Sequence, residues 1–225
     1  MKSVTETPKP RRRAEWVLWI GLGLVSATLL LLLLLAQLLR SQANAAKPLP
    51  VLGQVADFTL TNQDGRTVSL ADLRGHVWVT DIIFTRCTGP CLRMTGLMRQ
   101  LQEALPPGNQ AKFVTLTTDP EYDTPAVLKT RANQFNADPS RWLFLTGTKK
   151  QIAEVAVNSL KLTAVPKEPD KQETPADLFI HSTQFVVVDK QAQMRGFFDT
   201  AGEGVDPTKT KSDILNAVRR LEKER

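Results

Sequence analysis

The two cysteines of the chain, Cys87 and Cys91, stand in one short stretch, "IIFTRCTGPCLRM", with three residues between them. Two thiols at that spacing can close a disulfide, cycle as a redox dithiol, or hold a soft metal ion as thiolates. An apolar, strand-like run leads into the pair and a helix-like pattern leads out. Backbone N–H groups and the helix dipole at such a junction lower a thiol's pKa, so thiolate is accessible near neutral pH. Thiolate is both the nucleophile and the soft-metal ligand. A purely structural bridge is the weakest of the three readings, because closing so short a loop removes less chain entropy than closing a long one.

A redox dithiol of the thioredoxin kind would show C-x-x-C and a proline just before a late strand. Here three residues intervene, and Ile180-His181-Ser182 precedes the strand-like "TQFVVVD". Two thiolates and one imidazole make a three-ligand soft set. Sulfur suits Cu(I), and imidazole suits Cu(I) and Cu(II) alike. Zinc would also bind such a set, normally with a fourth ligand. The other histidine, His76, lies in a turn ahead of the strand that leads to the cysteines and is read as surface. Met94 and Met98 follow helical spacing and are read as core filler rather than thioether ligands.

The elements that must position these residues are legible in the pattern. "FTLTNQDGRTVSL" alternates around Asp64-Gly65, a β-hairpin pattern. Val77 to Phe84 is a mostly apolar run, consistent with a buried strand. From Cys91, Leu97, Leu101 and Leu105 trace a helical stripe that Pro106-Pro107-Gly108 stops. "KFVTLTTD" reads as a strand ending at Asp119, and Thr124-Pro125 opens a helix through about Phe135. "WLFLT" is a short strand and "KKQIAEVAVNSL" a helix. "HSTQFVVVD" is a strand that turns at Asp189–Ala192 into "QMRGFFDT", and "KSDILNAVRRLEKE" is an amphipathic C-terminal helix. Thr163 to Asp177 has no periodicity and is read as a long surface loop. Strands alternating with helices imply an α/β sheet with parallel pairs and a final antiparallel hairpin.

The front of the chain has a different character. Trp16 to Leu39 carries no charge, which exceeds the roughly 20 apolar residues a helix needs to cross a bilayer. Arg11, Arg12 and Arg13 precede it, and Trp16 and Trp19 fall where an interfacial belt would lie. The basic side is expected to stay in the cytoplasm and the domain after residue 40 to sit outside it. "ANA" at Ala43–Ala45 resembles a signal-cleavage site, but an apolar region this long favours an uncleaved anchor. The expected organisation is a basic N-terminus at 1–15, an anchor at 16–39, a linker at 40–53 and a folded domain at 54–225. The short basic N-terminus favours a bacterial inner membrane, with the domain in the periplasm. Net charge is +6, of which +3 falls before residue 40. The remainder is close to balanced, which argues against a nucleic-acid partner.

"FTRC…C" after a strand, "TTDPEYDTP" at Thr117–Pro125, and "HSTQFVVVDKQAQMRGFF" at His181–Phe198 together resemble the Sco/SenC family. The resemblance runs from about residue 50 to the C-terminus. It implies a thioredoxin-like fold, here with an N-terminal β-hairpin extension and a preceding transmembrane helix. It also implies one copper ion, Cu(I) or Cu(II), per chain. By residue-by-residue match, Cys87, Cys91 and His181 fall on the copper ligands. Asp119 falls on the acidic residue of the family's motif near the site. Family members help assemble the dinuclear copper centre of cytochrome c oxidase, as metallochaperone or as thiol reductant. The implied partner is the copper-receiving oxidase subunit, with another copper chaperone or a thioredoxin-like reductant as further partners. The chain departs from the family where Thr88 and Leu92 follow the cysteines in place of proline, and where Ile180 replaces an acidic residue before the histidine. The alternative is an anchored thiol–disulfide oxidoreductase or peroxidase of the cell envelope, with Cys87 as attacking thiolate. On the first reading the protein is a binding protein and not an enzyme.

Overall fold

The computed structural model describes residues 12–46, 48–106, 108–172, 178–202 and 204–224. The basic segment through Arg11, and residues 173–177 of the expected loop, lie outside the described residues. The chain forms two compact units, Met1–Pro48 and Leu49–Arg225.

In the first unit, helix α1 spans Arg12–Ala46. Its stretch Trp16–Leu39, 24 residues with mean hydropathy 2.5, has none of its side chains buried. At 1.5 Å per residue that stretch is about 36 Å long, against roughly 30 Å of bilayer hydrocarbon. By length and composition it can cross a membrane. The helix continues beyond Leu39 into the segment expected to be a linker, because Ala-rich "SQANAA" favours helix as well as tether.

The second unit is built on an eight-stranded mixed sheet. Its strands are β1 (Gly53–Gln54), β2 (Thr59–Asn62), β3 (Thr67–Ser69), β4 (Trp78–Ile83), β5 (Lys112–Thr117) and β6 (Trp142–Thr146), then β9 (Gln184–Val188) and β10 (Gln193–Asp199). The order across the sheet is β1-β10-β9-β4-β5-β6-β2-β3. β4, β5 and β6 are parallel, and β9 joins β4 antiparallel. The β2–β3 hairpin adds to the far edge beside β6, turning at Gly65 with φ +74, a left-handed conformation that favours glycine. This is the thioredoxin-like α/β arrangement, with an N-terminal hairpin extension, that the sequence implies.

Alternation along β4 divides the core into two layers. Val79 and Ile83 face one layer, with Met94, Met98, Phe113, Phe185 and Ile214. Trp78 and Ile82 face the other, with Leu60, Leu116, Leu145, Ile152 and Val186. The first layer is roofed by α2 (Pro90–Ala104) and α5 (Pro207–Lys223), and α3 (Pro125–Gln134) packs on β6. Met94 and Met98 are fully packed there, as their helical spacing suggests. Thr124 caps α3 by accepting from the Val127 N–H.

Three segments differ from expectation. The helix read from Lys149 is α4 only to Ala153, and Glu154–Ser159 widens to a π-turn closed by the Leu160 N–H on the Val155 carbonyl. Apolar spacing at Ile152, Val155, Ala156 and Leu160 satisfies either winding, so it could not discriminate. The long surface loop contains β7 (Ala164–Pro166), which pairs with β8 (Phe179–His181) as a separate two-stranded sheet. Strands of three residues are too short to show a period. The strand read from His181 is in fact two: His181 ends β8, and β9 starts only at Gln184.

Residues 49–53, read as linker, belong to the folded unit. β1 pairs with β10, and the buried Arg195 guanidinium donates to the Leu49 and Pro50 carbonyls while pairing with Asp189 at 2.7 Å and Glu224 at 2.9 Å. This cation is held because burial without partners would be costly.

Candidate metal centre

The end of β4 delivers Phe84 and a tight loop to the first turn of α2. Cys87 lies in that loop and Cys91 is the second residue of the helix. Gly89 is the N-cap and supplies no side-chain acceptor for the helix's free N–H groups. Cys87 takes that role: its sulfur accepts from the Cys91 and Gly89 backbone N–H groups. The Cys91 thiol also donates to it. The Cys87 pKa is pushed down to about 4, chiefly by the bond from Cys91, with a further contribution from the Cys91 and Gly89 main chain. The Cys91 pKa moves up, because its proton is held by Cys87 and because the thiol is buried. The helix terminus therefore stabilises one thiolate, on Cys87, while Cys91 keeps its proton. Both cysteines are free and buried.

His181 arrives from β8. Its Nε2 lies 3.1 Å from Cys91 Sγ, and its Nδ1 lies 3.0 Å from the Ser182 carbonyl oxygen. A carbonyl only accepts, so Nδ1 carries the proton and Nε2 presents its lone pair to the sulfurs. The ring stands edge-on to Phe84 at 5.7 Å between centroids, and Phe84 in turn packs on Phe179 at 5.1 Å. The ligand atoms of Cys87, Cys91 and His181 all lie within 4.8 Å of one another. Two soft sulfurs and an imidazole nitrogen with its tautomer fixed suit copper. Among the described residues no fourth His, Cys, Asp or Glu joins them, which fits copper better than a closed tetrahedral zinc site.

Asp119 is not one of the clustered atoms. Its buried carboxylate pairs with Arg86, the neighbour of Cys87, through Nε at 3.1 Å and Nη2. Arg86 also stacks over the Tyr122 ring at 4.4 Å. Asp119 thus meets the dithiol loop through a cation. His76 is half-buried, with Nδ1 3.1 Å from the Gln110 carbonyl oxygen, and takes no part.

Two buried acids escaped the sequence reading. Asp123, fully buried, accepts from the Thr85 N–H at 3.1 Å, from the Thr85 hydroxyl and from the Thr117 hydroxyl at 2.5 Å. It ties the "TTDPEYDTP" loop to the residue two before Cys87. Its signal was the second aspartate of that motif, four residues after Asp119. Asp81 is wholly buried on β4, with Val79 and Ile83 on the layer that holds the dithiol, and burial pushes its carboxyl up to about 7. Its signal was a lone acid in the apolar run "VWVTDIIF".

A family model described as SCO1/SenC matches residues 50–219 of the chain. The chain belongs to the SCO1/SenC family. It is 38% identical over 172 residues to a SCO1 protein homolog of Bacillus subtilis, covering 76% of this chain and 83% of the relative. A putative copper-binding protein of Stutzerimonas stutzeri is 30% identical over 161 residues, covering 70% of this chain and 74% of the relative. The solved structure of BsSco superimposes with a TM-score of 0.65 at 31% identity, covering 80% of this chain and 99% of that one. BsSco is described as a member of the Sco family of cytochrome c oxidase assembly proteins, and a disulfide switch has been identified in it. The sequence resemblance and the fold it implied are both borne out.

Proposed function

We propose that this SCO1/SenC protein binds one copper ion through Cys87, Cys91 and His181 and serves the assembly of the dinuclear copper centre of cytochrome c oxidase. The observation that carries the reading is the convergence of two sulfurs and one imidazole lone pair within 4.8 Å. The copper-binding relative and the description of BsSco support the same assignment. The apolar helix Trp16–Leu39 supports a single-pass anchor, with its basic end in the cytoplasm and the domain in the periplasm of a bacterial inner membrane.

The residues divide the work. Cys87 is already a thiolate, while Cys91 must release its proton for both sulfurs to ligate, so metal uptake is linked to proton release. His181 presents Nε2 because Ser182 holds Nδ1. The incoming metal supplies the polarisable centre that two thiolates and an imidazole prefer. With three protein ligands the set leaves room for a recipient's ligands to enter. The recipient is the copper-receiving oxidase subunit, and Arg86, held by Asp119, lies on the rim beside Cys87.

A second reading rests on a specific feature, the free dithiol with one low-pKa sulfur. Such a pair can attack a disulfide through Cys87 and resolve the mixed disulfide through Cys91. On that reading the protein reduces a disulfide of the recipient site to its two thiols, and Cys87 and Cys91 end as the disulfide. The two roles exclude each other in time, since an oxidised pair has no thiolates to offer.

The deciding experiment titrates copper into the reduced full-length protein in detergent, without oxygen, and reads the copper-to-protein ratio by elemental analysis. One tight equivalent, lost in Cys87→Ser or Cys91→Ser and weakened in His181→Ala, establishes the copper reading. No tight copper, with the dithiol still turning over a disulfide substrate, establishes the oxidoreductase reading instead.

A further inference from the structure

Beside the ligands, a cleft of about 600 Å³ runs between α2, α5 and the end of the β9–β10 hairpin. One end lies at Pro90, next to Cys91, and at Thr183, two residues beyond His181. Met94 and Leu97 contribute an apolar floor, and Arg93 and Lys211 its charge. Among the described residues no acidic side chain lines it, and neither cation is in an ion pair. Lys211 Nζ meets only the Gln100 side-chain oxygen, at 3.2 Å. The acids nearby among the described residues bond other groups. Asp199 accepts from Gln184, Asp206 from the Thr208 N–H, and Asp213 pairs with Lys209. The first turns of both α2 and α5 open onto the cleft, which adds the positive ends of two helix dipoles.

We infer that this cleft docks an extended acidic segment of the copper-receiving protein, its carboxylates meeting Arg93 and Lys211 and an apolar residue resting against Pro90 and Pro207. The charge is complementary and the two cations are in no ion pair among the described residues, an arrangement that steers an anionic partner and fixes its register. The position matters as much. A segment lying along the cleft ends at Pro90 and Thr183, so it brings its protein to the edge of the three-ligand cluster. A concave cleft between two helices fits a strand of peptide better than the flat face of a lipid bilayer. The inference deepens the handover reading and rests on it.

The test uses the full chain in nanodiscs of neutral phosphatidylcholine and a short fluorescent peptide alternating Glu with Leu, read by anisotropy. Saturable binding is expected that weakens with salt and falls about tenfold in the Arg93→Glu/Lys211→Glu double variant. Arg66→Glu, on the β2–β3 turn, leaves it unchanged. The Lys-for-Glu peptide does not bind. Equal binding by wild type and double variant overturns the inference, as does no binding below about 1 mM. Binding of the same two cations to phosphatidylglycerol vesicles in place of the peptide overturns it in favour of a membrane contact. Copper-to-protein ratios on the same samples keep the two claims apart. If wild type binds the peptide but takes up no copper, the handover reading fails and the docking cleft stands. If it takes up copper and ignores the peptide, the cleft fails alone.

Discussion

Cys87 sits in a loop that its surroundings grip from three sides, whereas His181 ends a hairpin that stands outside the main sheet. Asp123 holds Thr85 by main chain and hydroxyl, Arg131 donates to the Thr85 carbonyl, and Asp119 anchors Arg86. The histidine arm is attached differently. The Ser182 N–H bonds the Thr163 carbonyl at 2.9 Å, and Phe84 meets both Phe179 and His181 through ring edges. Ile180 and Val165, opposite each other on the hairpin, are half exposed. The contrast teaches a division of labour. The dithiol is preorganised by buried polar bonds, so its geometry and charge exist before metal arrives. The imidazole is delivered by a small two-stranded sheet with few polar ties, so it is the ligand whose position can change at low cost.

The comparison can be broken at several points. Removing either sulfur has the largest effect: Cys87→Ser or Cys91→Ser should abolish tight copper uptake, as read by equilibrium dialysis. His181→Ala should weaken uptake by roughly a hundredfold without abolishing it, because the gripped dithiol remains a two-sulfur site. Equal losses for His181→Ala and Cys87→Ser would mean that the arm is as preorganised as the loop. Asp123→Ala should cost about 2–3 kcal/mol in denaturant unfolding, since Thr85 and Thr117 lose a charged acceptor in a buried place. It should also accelerate alkylation of Cys87 by freeing the loop.

A pH series sharpens the same contrast. With its pKa pushed down to about 4, Cys87 is thiolate above that value and protonated below it. Alkylation by iodoacetamide should therefore stay flat from neutral pH to about 5 and fall as pH approaches 4, whereas an unfolded cysteine loses reactivity below roughly 8.5. Cys91, shifted the other way, should be the slower thiol throughout. The smallest effect is expected from Arg86→Gln. Its ion pair is half exposed on the arginine side but buried at Asp119, and Gln keeps a donor, so stability should fall by about 1–2 kcal/mol.

The same division decides what the sequence made legible. The dithiol, its strand and its helix could be read because a six-residue buried strand and a 15-residue helix carry clear periods. The parallel core and the hairpin at Gly65 were legible for the same reason. The ligand identity of His181 came from chemistry and family resemblance, but its setting did not. β7 and β8 have three residues each, and their pairing joins positions on either side of a long aperiodic segment. Asp123 and Asp81 were hidden for another reason. A charged letter reads as surface until its surroundings are known; for Asp123 these are hydroxyls and a main-chain N–H that no spacing rule connects, and for Asp81 the buried interior of β4.

The Arg195 clasp has a mechanical consequence. The guanidinium that holds the Leu49 and Pro50 carbonyls also holds Asp189, at the turn end of the β9–β10 hairpin. The ligand end, at Gln184 and His181, is the opposite end of β9, roughly 15 Å of strand away. A pull arriving along the chain ahead of residue 49 is taken up by that ion cluster and by the rungs of β1 on β10 before it can reach the dithiol loop. The clasp acts as the strain relief on a cable, so tugging at the N-terminal end leaves the three ligand atoms undisturbed.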